Sequence, residues 1–167
     1  GISATSCKLD TKRNDIYDLI SGIFVSPGSA SNIVIDENKF RVTLGGWGTS
    51  QAAFVINGPA PNASIRITNN NPVQIMGNGP GIWVVNNGLI NNPALRQITG
   101  NHIFDLAPGY AGISVDNSGR WTIDDNHIFT SGFSNTVGGS GLTQGILLDA
   151  SDYCIVRNND VHALDGT

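Results

Sequence analysis

Residues that favour helices are scarce in this chain: glutamate occurs once in 167 residues, lysine three times and methionine once. The formal net charge is −4, so the charge balance gives no case for a nucleic-acid partner. No apolar run approaches the roughly 18 residues that a membrane-spanning helix needs, and no heptad pattern is present. Cys7 and Cys154 do not support a disulfide framework, and Cys154 is predicted to be a buried free thiol.

Turn-forming residues, in contrast, are abundant, with 21 glycines and 19 asparagines. One pattern, Ile/Val-x-x-Asn-x-apolar, recurs along nearly the whole chain, with its asparagines 24, 32, 31, 25 and 33 residues apart. A repeat of this length predicts a solenoid in which each copy forms one coil. The asparagines of the pattern are Asn14, Asn38, Asn70, Asn101, Asn126 and Asn159.

A second set of short apolar runs recurs in phase with the first. Each run is bounded by glycine, asparagine, aspartate or serine, which is typical of strands and turns. Alternation within a strand places the first and third residues inside and the second outside. The inward residues are predicted to include Ile82, Ile113, Ile146, Val84, Val115 and Leu148, and the outward residues are Phe24, Val55, Trp83, Ser114 and Leu147.

The predicted fold is therefore all-β: a solenoid of about six coils whose asparagines stack in an internal ladder. The GIWVV, GISVD and GILLD strands and the ITGNHIF, TIDDNHIF and IVRNNDV turns resemble those of the right-handed parallel β-helix family, which includes pectate-lyase-like enzymes and bacteriophage tailspikes. The resemblance covers roughly residues 20 to 164 and implies a right-handed parallel β-helix.

Two segments follow from this interpretation. Residues 23–167 are predicted to be the β-helix repeats, and residues 1–22 an incomplete first coil or a cap, with a short helix considered around Asp15 to Ile20. No polar cap is evident at either end of the repeats. Because an open solenoid end exposes strand edges, we expect a piece of a longer β-helix or ends covered by partner chains.

Glycine-rich loops precede the first strand of several coils, at 44–50, 77–81, 107–112 and 131–145. Such insertions often build the binding face of a repeat protein. Trp47, Tyr110 and Phe133 lie on these loops and are predicted to stack on sugar rings, with Arg120 as a further substrate-binding residue. The alternative is that the three aromatic rings fold back over the core.

Two carboxylates are the candidate catalytic groups. Asp116 and Asp149 occupy equivalent positions in successive coils, about 5 Å apart if the strands are neighbours. That spacing suits a retaining glycosidase, and it also suits a Ca²⁺ site, although no cofactor is required. The alternative is that both simply end their strands in turns. The motif sets of polygalacturonases and pectate lyases are absent from the chain.

His102 and His127 also occupy equivalent positions, one residue after the repeated asparagine. Other coils have Lys39, Asn71 or Asp160 in that place, which indicates a solvent-facing turn. A catalytic or metal-binding role for the two histidines is the alternative.

The outward row of the first strands has four apolar residues in five, which indicates an interface or a covering loop. Together with the resemblance to tailspikes, whose β-helices lie side by side as trimers, this predicts a trimeric polysaccharide-binding protein at a virion surface or outside the cell. Two other functions are left open: a pectate-lyase-like lyase or glycoside hydrolase, and a structural stalk or adhesin without catalysis.

Overall fold

The computed structural model of the protein describes residues 2–5, 8–19, 22–28, 31–44, 52–58, 62–71, 73–77, 79–88, 95–106, 110–131 and 144–164. All regular structure in these ranges is β-strand, and none of them forms a helix that could cross a membrane. The strands are β1 (Ile2–Thr5), β2 (Leu9–Lys12), β3 (Asp15–Leu19), β4 (Ile23–Ser26), β5 (Asn32–Asp36), β6 (Lys39–Leu44), β7 (Phe54–Asn57), β8 (Ser64–Thr68), β9 (Val73–Gly77), β10 (Ile82–Gly88), β11 (Arg96–Thr99), β12 (His102–Leu106), β13 (Ala111–Ser118), β14 (Thr122–Asp124), β15 (His127–Ser131), β16 (Gln144–Asp149), β17 (Ile155–Arg157) and β18 (Asp160–Leu164).

These strands form three six-stranded sheets in which every pairing is parallel. Each sheet takes every third strand, in the order β1-β4-β7-β10-β13-β16 for the first sheet. The second sheet is β2-β5-β8-β11-β14-β17, and the third is β3-β6-β9-β12-β15-β18. Three consecutive strands, one in each sheet, therefore form a strand triplet that stacks on the next. This arrangement is compatible with a β-helix.

The core lies between the three sheets and is built from rows of aliphatic side chains in register. Phe54, Ile82 and Ile113 share one row of the first sheet, and all three are fully buried. Equivalent rows contain Ile33 and Ile65 in the second sheet and Phe40 and Val73 in the third. Close packing of such rows removes apolar surface from water and stabilises the stack.

The inward residues predicted from alternation are buried in β10 and β13, where Ile82, Val84, Ile113 and Val115 have no exposed surface. In β16, which among the described strands pairs with β13 alone, Ile146 is half-buried and Leu148 is 38% exposed. Val156 and Val161 are exposed in the same way on β17 and β18.

The six repeated asparagines occupy one row at the turn between the second and third sheets. Each of the first five donates its backbone N–H and its side-chain amide to the Oδ1 of the next, at 2.8–3.1 Å. Asn38, Asn70, Asn101 and Asn126 are fully buried. Because a buried amide must find partners, each asparagine of this row is held by its neighbours.

Residues 2–19 carry strands β1, β2 and β3, which pair with β4, β5 and β6. A strand, Asp15–Leu19, therefore takes the place of the short helix considered around Asp15 to Ile20. The alternation of exposed Asp15 with buried Ile16 and exposed Tyr17 is a strand pattern.

The outward row of the first sheet is less exposed than its sequence indicates. Val55 is 1% exposed and Ser114 is 8% exposed, whereas Phe24, Trp83 and Leu147 are half-buried. The register places Val55 between Phe24 and Trp83, and Ser114 between Trp83 and Leu147. Because small side chains lie between larger ones, the row does not form a continuous exposed apolar face within one chain.

Candidate functional site

The two predicted catalytic carboxylates are brought into register. Asp116 on β13 pairs with Asp149 at the end of β16, and the next position along the row is Val85 on β10. Neighbouring parallel strands are about 4.8 Å apart, so this pairing is the one that the sequence predicts. Asp116 is half-buried and Asp149 is exposed, so solvent reaches both residues.

Arg120 lies in the turn that follows β13. Its guanidinium lies 5.6 Å from the ring centroid of Tyr153, and its backbone N–H donates to the carbonyl oxygen of Asp152. Arg120 and Tyr153 both have positive φ angles and both are exposed. The predicted substrate-binding arginine therefore contacts an aromatic ring of the next strand triplet, an interaction that the sequence does not predict.

The predicted loop aromatics are described only in part. Tyr110, directly before β13, is half-buried. Trp47 and Phe133 lie outside the described residues, as do Cys7 and most of the glycine-rich loops.

A second group of side chains lies on the outer face of the third sheet. His102, His127 and Asp160 each begin a strand, and the register aligns them across β12, β15 and β18. Two residues further along each strand are Phe104, Phe129 and His162. Because alternate residues of a strand point to the same side, all six side chains share one face. We call the five rings and the carboxylate the ring patch.

The rings of the ring patch are in contact with one another. His102 is central: its ring centroid lies 5.9 Å from that of Phe104, 5.5 Å from that of Phe129 and 6.1 Å from that of His127. Phe129 stacks on His162 at 5.2 Å with an interplanar angle of 10°. The five rings therefore form one continuous surface across three neighbouring strands.

The carboxylate of Asp160 joins two of the imidazoles. Its Oδ1 lies 2.6 Å from Nε2 of His162, and its Oδ2 lies 3.4 Å from Nδ1 of His127. The three side chains are 47–54% exposed. An imidazole held by a carboxylate has a fixed orientation and keeps its other nitrogen available to a ligand.

The ring patch was not predicted, although a signal for part of it was present. The equivalent positions of His102 and His127 predict a solvent-facing turn, whereas the structure places the two residues at the starts of β12 and β15. The i, i+2 spacing of each histidine to a phenylalanine, and of Asp160 to His162, indicates a shared outer face.

A buried cluster lies beneath the second sheet. Arg96 is 1% exposed, and its guanidinium donates to Ser118 Oγ and the Gly119 carbonyl oxygen and lies 5.8 Å from the Trp121 ring centroid. Burial lowers the pKa of Arg96 to about 10. Cys154 is a half-buried free thiol that packs against the core. It directly precedes β17 as Trp121 directly precedes β14, so the two residues are equivalent in successive strand triplets. This cluster is part of the core and not of an exposed site.

Potential metal ligands do not converge in the part of the chain that the structure describes: no group of three histidine, cysteine, aspartate or glutamate side chains there is arranged to hold a metal ion.

Comparisons of this chain with models of protein families, with curated proteins and with solved structures find no match. What the chain does must therefore be inferred from its own residues.

Proposed function

We propose that the chain is a right-handed parallel β-helix of six coils, with an internal asparagine ladder, that recognises polysaccharide as a tailspike-like protein. The fold part of the proposal is supported by three parallel sheets that share their strands in rotation, one strand of each triplet to each sheet. It is also supported by the paired hydrogen bonds between successive asparagines of the row.

The observation that carries the polysaccharide proposal is the ring patch. Sugars present apolar C–H surfaces, which pack on aromatic rings, and hydroxyl groups, which need hydrogen-bond partners. The patch offers both kinds of contact, because Phe104 and Phe129 alternate with imidazoles and with the carboxylate of Asp160. Its repetition along three parallel strands suits a ligand that is itself a repeating chain.

A binding screen tests the proposal. The purified protein is passed over a panel of immobilised polysaccharides, and the apparent Kd is measured for each one retained. We expect Phe129→Ala to weaken binding at least tenfold, because Phe129 contacts both His102 and His162. Tyr17→Ala is the matched control, because Tyr17 is a 51% exposed ring of the same sheet on β3, far from the patch.

Retained binding in the Tyr17→Ala variant and its loss in the Phe129→Ala variant would support the proposal. Equal binding by both variants would show that the glycan does not bind at the ring patch. If no polysaccharide of the panel binds, the recognition proposal fails, and a structural stalk or adhesin becomes the better account of the chain.

A second candidate function is polysaccharide cleavage, and the register of Asp116 with Asp149 favours it. Two carboxyl groups about 5–5.5 Å apart suit a retaining glycosidase, in which one protonates the leaving oxygen and the other attacks the sugar. The same pair of positions could also supply the base of a lyase.

The proposal includes a trimer at the virion surface or outside the cell, where a polysaccharide ligand would be met. Phe24, Trp83 and Leu147 in the outward row of the first sheet are half-buried, so each keeps some apolar surface for contacts between chains. Light scattering on the purified chain measures the mass in solution: a mass of three chains supports this part of the proposal, and a mass of one chain overturns it.

A further inference from the structure

The ring patch contains all three histidines of the chain. Resting on the proposed function, we infer that this patch binds carbohydrates that carry carboxylate groups, and that it does so in mildly acidic solution. The ligand class is thus an acidic polysaccharide, such as one built of uronic acid units.

The charge of the patch depends on its imidazoles. Free imidazole titrates near pH 6.5, so histidine side chains as a class change charge between about pH 5 and pH 8. With all three imidazoles protonated, His102, His127 and His162 oppose the single negative charge of Asp160, and the patch is cationic. With all three neutral, the carboxylate is the only charge, and the patch repels anions.

The other described charges on the strands of the patch and on the strands packed against them are few. Among the side chains that the structure describes on β12, β15 and β18, Asp160 is the one charged group besides the histidines. Of the described side chains on the packed strands β9, β13 and β16, the charged ones are Asp116 and Asp149 of the first sheet. Asp125, two residues before His127, is an exposed anion in the preceding turn.

The contacts within the patch determine which histidines face a ligand. Asp160 already faces one nitrogen of His127 and one of His162, so each ring keeps its other nitrogen for a bound carboxylate. His102 has ring contacts but no ion pair among the described residues. Charge-assisted hydrogen bonds from imidazolium to carboxylate are the strongest contacts that the patch can offer.

The test compares polygalacturonate with its fully methyl-esterified form, which keeps the sugar backbone and removes the charge. Binding of the whole chain to each immobilised polymer is measured from pH 5 to pH 8. We expect polygalacturonate to bind on the order of tenfold more tightly at pH 5 than at pH 8, the size of effect of about one charge-assisted hydrogen bond. Binding to the ester should not depend on pH.

A triple variant, H102Q/H127Q/H162Q, removes every imidazole while keeping hydrogen-bonding side chains on an exposed face, and circular dichroism verifies its fold. Loss of the pH dependence in this variant supports the inference. It is overturned if the pH dependence survives there, if ester and acid bind alike, or if neither binds while a neutral polysaccharide does. If no polysaccharide of the wider panel binds at any pH, the proposed function itself fails.

Discussion

Asn101 donates two hydrogen bonds to one atom of Asn126: its backbone N–H and its side-chain amide each lie 3.0 Å from Oδ1. Asn126 repeats the arrangement toward Asn159, and its side-chain amide also donates to the carbonyl oxygen of Ile98. Both Asn101 and Asn126 are fully buried. Each of these two buried asparagines therefore needs the asparagine of the next strand triplet as its hydrogen-bond acceptor.

Replacing Asn126 by alanine should destabilise the protein strongly. The change leaves the buried backbone N–H and the side-chain amide of Asn101 without the oxygen that accepts from both, and it removes the side-chain hydrogen bond to the Ile98 carbonyl. Each buried polar group left unsatisfied costs about 1–3 kcal/mol, so we expect the free energy of unfolding to fall by roughly 2–4 kcal/mol, measured by urea denaturation. Asn71→Ala is the control, because Asn71 is exposed next to the same row, and its cost should stay below about 0.5 kcal/mol. Equal costs for the two variants would contradict the role assigned to the row.

Gly112→Ala should also destabilise the fold, because there is no room for a methyl group at this position. A Cβ there would lie 2.5 Å from Cγ2 of Ile128 and 2.9 Å from the carbonyl oxygen of Gly145. The carbonyl belongs to the neighbouring strand β16, so it cannot move without disturbing the pairing of β13 with β16. We expect a cost of about 1–3 kcal/mol in urea denaturation.

Gly145→Ala is the matched comparison for Gly112→Ala. Its nearest contacts are side-chain atoms of Val161 alone, and Val161 is 47% exposed on the last strand of its sheet, where it has space to shift. The Gly145 variant should therefore lose less stability than the Gly112 variant. The opposite order would mean that close packing between neighbouring strands does not explain the glycines of this row.

The pair of Asp124 with Arg157 gives a pH-dependent prediction. The hydrogen bond from Arg157, with a further one from Asn158, lowers the pKa of Asp124 below its ordinary value. A carboxyl group whose pKa is lowered by folding stabilises the protein above its unfolded pKa of about 3.9, and the contribution is lost as the pH falls through the folded value. Arg157→Gln should raise the pKa of Asp124 and lower the urea midpoint at pH 6.

The effect of Arg157→Gln should shrink as the pH falls below about 3.9, because the Asp124 carboxylate becomes protonated first in the unfolded chain and the variant and, at lower pH, in the folded parent. A carboxyl NMR titration gives the pKa directly, and urea midpoints at pH 3 and pH 6 give the change in stability. Arg66→Gln is the control for the loss of one positive charge, because Arg66 is exposed on the same sheet, has no salt bridge among the described residues, and should cause no pH-dependent change. An Arg157→Gln effect that is equal at pH 3 and pH 6 would contradict the ion pair.

The inward rows were predictable because they repeat. Ile82 and Ile113 occupy the same place in successive triplets, and each contact in the core needs an aliphatic side chain at that place. The all-β class and the parallel strands follow from this repetition, and the structure confirms both. For residues 1–22 the sequence leaves an incomplete coil, a cap and a short helix open, because this first copy of the pattern is degenerate, and the structure forms the strand Asp15–Leu19 there.

The outer faces could not be predicted in the same way, since outward residues change from one triplet to the next. His127 and His162 are 35 positions apart in the sequence, and their link through Asp160 depends on side-chain geometry that no local pattern records. The burial of Val55 likewise follows from large neighbours on other strands. Asp116 and Asp149 were the exception, because both follow the same repeated apolar run and are in register.

If the protein cleaves polysaccharide, the carboxylates of Asp116 and Asp149 should be required for it. Asp116→Asn and Asp149→Asn each remove one ionisable group while keeping nearly the same shape, so we expect a loss of cleavage of at least a hundredfold in each variant, the lower end of what general acid–base groups contribute. Reducing-end release measures hydrolysis, and absorbance of the unsaturated product measures elimination.

Asp152→Asn is the control, because Asp152 is an exposed aspartate of the turn that follows β16. Binding to the immobilised polysaccharide should survive in all three variants, since the ring patch lies on another sheet. Cleavage that persists in both Asp116→Asn and Asp149→Asn would exclude this pair, and normal binding without cleavage in the parent protein would leave recognition as the function of the chain.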